Sequence, residues 1–177
     1  MILSRTSQYA IQALIYMATQ PEGVPVLNRT IAEYLNVPPA YLAKIMQNLS
    51  RGGILYSYRG KQGGFCLREG GEKTDLMKIL TLVEGPGLTE NCVMGLKICD
   101  DSTACPMHEK WKPIKGKIVE LLEKQTLEKL AAAVKSGKYR LAELPLGAMA
   151  LPSLPSQTAR KDGQRRGVRV ASARSSA

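Results

Sequence analysis

Cys92, Cys99, Cys105 and His108 follow one another in the pattern Cys-x6-Cys-x5-Cys-x2-His, and His108 is the only histidine of the 177 residues. Thiolate and imidazole are the side chains that hold soft and borderline metals, and four of them complete a tetrahedral shell. No secretory signal is expected, so the chain reads as cytoplasmic, where clustered thiols bind metal or do redox work rather than form stable disulfides. The residues by themselves leave several chemistries open: a metal centre that senses, a structural zinc ion, thiols that respond by oxidation, and incidental buried thiols. Structural zinc sites usually carry close Cys-x2–4-Cys pairs, and none occurs here. Cys66 stands apart, in a β-prone run, and reads as a small apolar filler. With one histidine, no nucleophile–base pair is identifiable, and the chain reads as a non-enzyme.

The elements that must position these residues follow from periodicity. Tyr9, Ala10, Ala13, Leu14 and Met17 recur at helical spacing and predict a helix over residues 5–19, closed by Pro21-Glu22-Gly23. A second helix is predicted from Asn28 or Thr30, where Thr30 and Glu33 have capping-box spacing, to the turn Asn36-Val37-Pro38. Pro39 suits the first position of a third helix, whose buried stripe is Tyr41, Leu42, Ile45, Met46 and Leu49, and which Gly52-Gly53 stops. Two helices joined by a short turn form a helix-turn-helix, in which the second enters the major groove of DNA. The runs 54–58 and 65–67 flank Arg59-Gly60-Lys61-Gln62-Gly63-Gly64 and predict a hairpin, which in this place is a wing.

Thr74-Asp75 caps a fourth predicted helix over 75–84, and residues 88–105 read as a loop. A long helix is predicted from about residue 106, with Trp111, Ile114, Ile118, Leu121 and Leu122 on one stripe, followed by a short helix over 126–134 capped by Thr126. A three-helix unit with a wing is too small to bury this stripe. The expectation is a homodimer built on the same helix of a second copy, combined with packing on the first helix of the same chain. The fold class is therefore mainly α with a small β-hairpin wing: a winged helix-turn-helix domain over 1–87, a metal-binding loop over 88–108, a dimerisation helix and short C-terminal helix over 109–144, and a disordered basic tail over 145–177.

The formal charge of +10 divides evenly: residues 1–150 and 151–177 contribute +5 each. Between Glu33 and Glu69 there is no carboxylate, while Lys44, Arg51, Arg59, Lys61 and Arg68 lie there. Such a stretch attracts a polyanion, and double-stranded DNA is the partner expected. Ala40, Lys44, Gln47 and Asn48 are the candidates for groove contacts. Arg51 and Lys61 suit phosphates, Arg59 a narrow minor groove, and Tyr41 reads equally as core or as a DNA contact. The apolar run from Tyr9 to Ala18 is too short to span a bilayer, so no membrane partner is expected.

Ser7-Gln8-Tyr9-Ala10, Ile31-Ala32, Ala40-Tyr41-Leu42, Arg59-Gly60, Gly63-Gly64-Phe65 and the run from Cys92 through Cys105-Pro106 to His108 and Trp111 occur in one order. In that order the chain resembles, over about residues 1–135, the bacterial winged-helix regulators typified by IscR, NsrR and RirA (the Rrf-two family). The resemblance implies a dimeric repressor whose DNA affinity is set by a two-iron or four-iron sulfur cluster responding to iron or cluster status, redox state or nitric oxide. It implies Cys92, Cys99 and Cys105 as ligands, with His108 fourth as in the IscR-like branch, since Gln8 stands where the NsrR-like branch has an acidic ligand. The interval from Cys92 to Cys99 is one residue longer than in IscR-like members, and Ala43 stands where they carry an acid. The alternatives are a zinc-stabilised or cofactor-free thiol regulator of the same fold and, from another class, an iron–sulfur electron-transfer protein.

Overall fold

Helix α1 (Arg5–Ala18) begins where the Ser4 hydroxyl accepts the Ser7 N–H at 3.1 Å. Its expected stripe is buried at Ala10, Ala13, Leu14 and Met17, and Ser7, Ile15 and Tyr16 are buried as well. The burial is wider than one face because α1 is the central element, covered by the next helices, the wing and the last helix. A computed structural model describes residues 3–60, 63–97 and 99–141. Lys61 and the tail expected over 145–177 lie outside the described residues.

Helix α2 (Asn28–Leu35) corrects one expectation. Leu27 occupies the cap position without a side-chain hydrogen bond, and Thr30 lies inside the first turn, so the Thr30–Glu33 box does not form. Glu33 instead pairs with Arg29 at 2.7 Å, both exposed. The helix start is set by tertiary pairing: Val26 and Phe65 exchange backbone hydrogen bonds of 2.8 and 2.9 Å, which fixes where the chain can begin to coil. The turn after α2 falls where expected, with Asn36 left-handed at φ 53° and the Val37 N–H donating to Ala32 C=O at 2.9 Å. Helix α3 (Pro39–Arg51) then starts at its proline and buries Leu42, Ile45, Met46 and Leu49.

Strands β1 (Leu55–Tyr58) and β2 (Gly64–Leu67) pair antiparallel, with Leu55 opposite Leu67 and Tyr58 opposite Gly64. Cys66 is buried in β2, and burial raises its thiol pKa, as befits an apolar filler. Gly64 has φ 144°, and a Cβ there would lie 2.3 Å from Val26 C=O. Only glycine lets β2 approach the Val26 backbone this closely.

Helix α4 (Leu76–Glu84) is capped by Asp75, whose carboxylate accepts the Lys78 N–H at 2.8 Å, and a short helix α5 (Gly87–Glu90) follows. The segment expected to be loop throughout thus opens with one helical turn. Helix α6 (His108–Lys124) and helix α7 (Leu127–Lys135, capped by Thr126) complete the described chain. Leu76 N–H donates to Gln125 C=O, and Leu127 N–H to Thr74 C=O, both at 3.0 Å, which ties the start of α4 to the end of α6. Within the chain α6 therefore packs chiefly on α4, while α7 lies on α1, where α1 was expected to receive α6. Leu122 is buried, Trp111 and Ile118 are half-buried, and Ile114 and Leu121 stay 50% and 58% exposed.

Gly64→Ala adds a methyl in a left-handed backbone and against a carbonyl. It should lower the unfolding free energy by about 1–3 kcal/mol, read as a shift of the urea midpoint at unchanged m-value; an unchanged midpoint would mean that the wing is not held by the Val26–Phe65 pairing.

Candidate metal centre and nucleic-acid interface

Two tight turns bring the thiol loop together. Gly95 N–H donates to Cys92 C=O at 2.9 Å, and Cys92 N–H to Leu96 C=O at 3.2 Å. Cys99 N–H donates to Glu90 C=O at 3.1 Å, so the six-residue interval folds back beside its origin. Asp100 then organises the next turn: one carboxylate oxygen accepts Ser102 N–H and Oγ–H at 2.8 and 2.7 Å, and Thr103 N–H and Oγ1–H at 2.8 and 3.1 Å. The Ser102 hydroxyl leads these bonds in holding Asp100 at about 2. The chain re-enters helix as His108 N–H donates to Cys105 C=O at 2.9 Å.

The donors meet in two pairs. Cys92 Sγ lies 3.3 Å from Cys105 Sγ, and Cys99 Sγ lies 3.7 Å from His108 Nδ1. Cys92 and His108 are buried, Cys99 and Cys105 half-buried, and all the thiols are free. Met94 N–H donates to Cys92 Sγ at 3.4 Å, and this bond, followed by the Cys105 thiol, lowers the Cys92 pKa. The Cys105 pKa is raised in return, first by its bond to Cys92 and then by burial. The pair therefore loses its first proton at Cys92, which makes a thiolate ligand available there.

Three thiols and one imidazole in such pairs have the donor chemistry of a sulfur-bound metal or an iron–sulfur cluster. Two thiolates on one ion at 2.3 Å would stand about 3.8 Å apart, a few tenths of an ångström wider than the Cys92–Cys105 pair. Among the described residues no three His, Cys, Asp or Glu side chains already surround one point as the shell of a single ion. A cluster distributes its ligands over separate irons and accepts this wider grouping.

Around the imidazole lie residues that spacing did not single out. Asp101 Oδ1 accepts from His108 Nε2 at 2.8 Å, and Lys112 Nζ lies 2.7 Å from each Asp101 oxygen. Lys112, then His108, lowers the Asp101 pKa. Lys112 stands four residues after His108 on α6, a helical neighbour legible in advance; Asp101 sits in a loop, where no period points to it.

The second candidate site is the outer face of α3 with the wing. Ala40, Tyr41, Lys44, Gln47, Asn48, Arg51 and Arg59 are all exposed. Two of them engage neighbouring helices, and Tyr41, expected on the buried stripe, is exposed. Asn48 Nδ2 donates to Leu82 C=O at 3.1 Å, so one donor is turned toward α4. Tyr41 bonds Thr6 through its hydroxyl at 2.7 Å and meets Tyr9 edge-on at 6.2 Å, leaning on α1 while staying 38% exposed. Arg68, outside the candidate set, stacks its guanidinium over Tyr56 at 4.7 Å.

A helix-turn-helix followed by a paired wing and an open basic face defines the class: this is a winged-helix, DNA-binding transcription regulator. The sequence pattern of the Rrf2 family, described as iron-dependent transcriptional regulators, matches residues 3–133, and the chain belongs to that family. A protein of Aquifex aeolicus (strain VF5), provisionally named an HTH-type transcriptional regulator, is 32% identical over 132 residues, 73% of this chain and 91% of that one. IscR of Pectobacterium atrosepticum is 25% identical over 130 residues, covering 73% and 79%. The solved structure of T. potens IscR superposes with a TM-score of 0.59 at 26% identity over 78% of this chain and 92% of that one. CymR, the global cysteine regulator of B. subtilis, shares the fold with a TM-score of 0.62 at 24% identity, covering 74% and 96%. Among the described residues no helix is long and apolar enough to cross a membrane.

If Arg59 enters a minor groove and Arg51 holds a phosphate, the two differ in what they lose. Arg59→Ala should weaken binding to a specific operator more than to random DNA. Arg51→Ala should weaken both alike and reduce the salt slope of log K by about one. Salt titrations of both variants on both DNAs check this; equal losses for Arg59→Ala would make it a phosphate contact only.

Proposed function

We propose that the chain is a cytoplasmic homodimeric transcription repressor whose grip on its operator is set by an iron–sulfur cluster held by Cys92, Cys99, Cys105 and His108. The observation that carries this reading is the convergence of these four donors, paired at 3.3 and 3.7 Å, at the start of a helix whose apolar stripe is exposed at Ile114 and Leu121. When bound, the cluster supplies an inorganic centre whose charge and integrity depend on iron supply, redox state or nitric oxide. The three cysteines bind it as thiolates. His108 contributes a neutral donor, which leaves the centre easier to release than four thiolates would.

The rest is mechanical. The loop over 88–108 runs directly into α6, so a change in how the four donors are held changes how α6 starts. In the dimer, Trp111, Ile114, Ile118 and Leu121 line the contact between the two copies of α6, Leu122 being already buried in the core of its own chain, and α6 sets the separation of the two α3 helices. Ala40, Tyr41, Lys44 and Gln47 face the major groove, with Asn48 offering its free amide atoms; Arg51, Arg59 and Lys61 take the backbone and the minor groove. A coupling of about 1–3 kcal/mol between loop and spacing changes operator affinity by roughly 5–150-fold.

The reading is tested by purifying the protein without oxygen. A brown protein with visible absorption and acid-labile sulfide is expected, with an operator affinity that changes when the chromophore is removed. A colourless protein holding one zinc per chain, or affinity indifferent to the chromophore, would overturn the sensor while leaving a DNA-binding regulator.

A further inference from the structure

His108 is 4% exposed, yet its two ring nitrogens meet different chemistry. Nδ1 faces Cys99 Sγ at 3.7 Å, inside the thiol group, while Nε2 faces the Asp101 carboxylate at 2.8 Å. Asp101 belongs to the loop between Cys99 and Cys105, and its side chain is 73% exposed. Lys112, one turn into α6, reaches both carboxylate oxygens at 2.7 Å. The three side chains thus form a line from solvent to the buried ring: Lys112, Asp101, His108.

We propose that Asp101 is a positioning residue that fixes His108 as an Nδ1 donor to the cluster. An ionised carboxylate only accepts hydrogen bonds, so the ring nitrogen against it must carry the hydrogen. A neutral imidazole carries one N–H, and placing it on Nε2 leaves the lone pair on Nδ1, the atom turned to the thiols. A ligating histidine held at its far nitrogen by a carboxylate is oriented and made more basic, and loss of such a partner costs about 10–100-fold in metal affinity. Lys112 keeps the carboxylate in place from the same face of α6, so the hydrogen bond also fastens the loop to the helix. Spacing alone does not reveal Asp101; the fold brings it there. This inference rests on the proposed cluster and on His108 as its fourth ligand.

Because the chain has a single histidine, labelling imidazole with nitrogen-15 reports on His108 alone. In the metal-free full-length protein at about pH 8, above the ordinary histidine range, nitrogen NMR should find the hydrogen on Nε2 in the wild type and spread over both nitrogens in Asp101→Ala. In the anaerobically loaded protein, pulsed electron paramagnetic resonance of the reduced state should find one coupled imidazole nitrogen. Release of the chromophore to a chelator should be about 10–100-fold faster in Asp101→Ala, and Asp101→Asn, whose amide oxygen still accepts from Nε2, should recover most of the loss. Wild-type coupling with unchanged tautomer and release in Asp101→Ala would overturn the role of Asp101 and leave the cluster reading standing. A wild-type cluster without a coupled imidazole would overturn His108 as a ligand, and this inference with it.

Discussion

Two backbone hydrogen bonds, Leu76 N–H to Gln125 C=O and Leu127 N–H to Thr74 C=O, hold the start of α4 against the end of α6. With that junction closed, α4 and α6 lie together, and the chain between Gly85 and Met107 must leave one helix and return to the other. Because both ends are fixed by the fold, the thiol loop closes between anchored points, and its two small turns need to order few residues. Helix α6 has 17 residues against nine in α4, so at 1.5 Å per residue it is about 12 Å longer. The excess has no counterpart in α4, which accounts for the exposure of Ile114 one turn after half-buried Trp111. Leu121 is exposed for a different reason: it lies beside the junction but points away from it, next to buried Leu122.

Helix α4 is also where the reading head and the loop touch a common element. It packs on α1, α3, α5 and α6. Asn48 of α3 bonds Leu82 C=O at 3.1 Å, and Ser4 at the start of α1 donates its N–H to Glu84 at 3.0 Å. Partial burial works against the charged form of Glu84, but hydrogen bonding from Ser4, with the Ser7 hydroxyl nearby, outweighs it and its pKa is lowered. The last turn of α4 is thus gripped from α1 and α3 just before the chain turns at Gly85 toward the thiols. These are contiguous contacts; a coupling along them is a matter for the operator measurement, not for proximity.

How much of this was legible in the residues follows from the range of the forces involved. Helices and hairpin were legible because periodicity, Pro39, Asp75, Thr126 and the glycines act within a turn or two of the chain. The α2 start at Asn28 was among the expected ones, but its cap was misread, because Thr30 and Glu33 satisfy a local rule that the longer-range Val26–Phe65 pairing overrides. The expected seat of α6 on α1 failed for a related reason: nothing local announces that Thr74–Leu76 will pair with Gln125–Leu127. At the thiol site the ligand candidates announced themselves by type, whereas Asp101 and Met94 act through a carboxylate and a backbone N–H that any loop could contain. Asn48 looks free on a helical wheel and is partly engaged because α4 passes beside that face, whereas Tyr41, on the wheel's apolar stripe, leans on α1 and stays exposed.

His108 separates the chemistries open to the loop. Oxidation of thiols needs only Cys92 and Cys105, whose sulfurs are already neighbours, and leaves the imidazole without a task. Burying a histidine costs free energy unless its polar atoms are bonded. Asp101 satisfies Nε2, but the atom opposite Nδ1 is the weakly bonding sulfur of Cys99 at 3.7 Å. A buried lone pair aimed among thiols is a poor arrangement for stability and a good one for a ligand. On the proposed reading, a bound centre replaces the weak Cys99–His108 contact with stronger bonds, and the stability of the segment leading into α6 becomes a function of that occupancy.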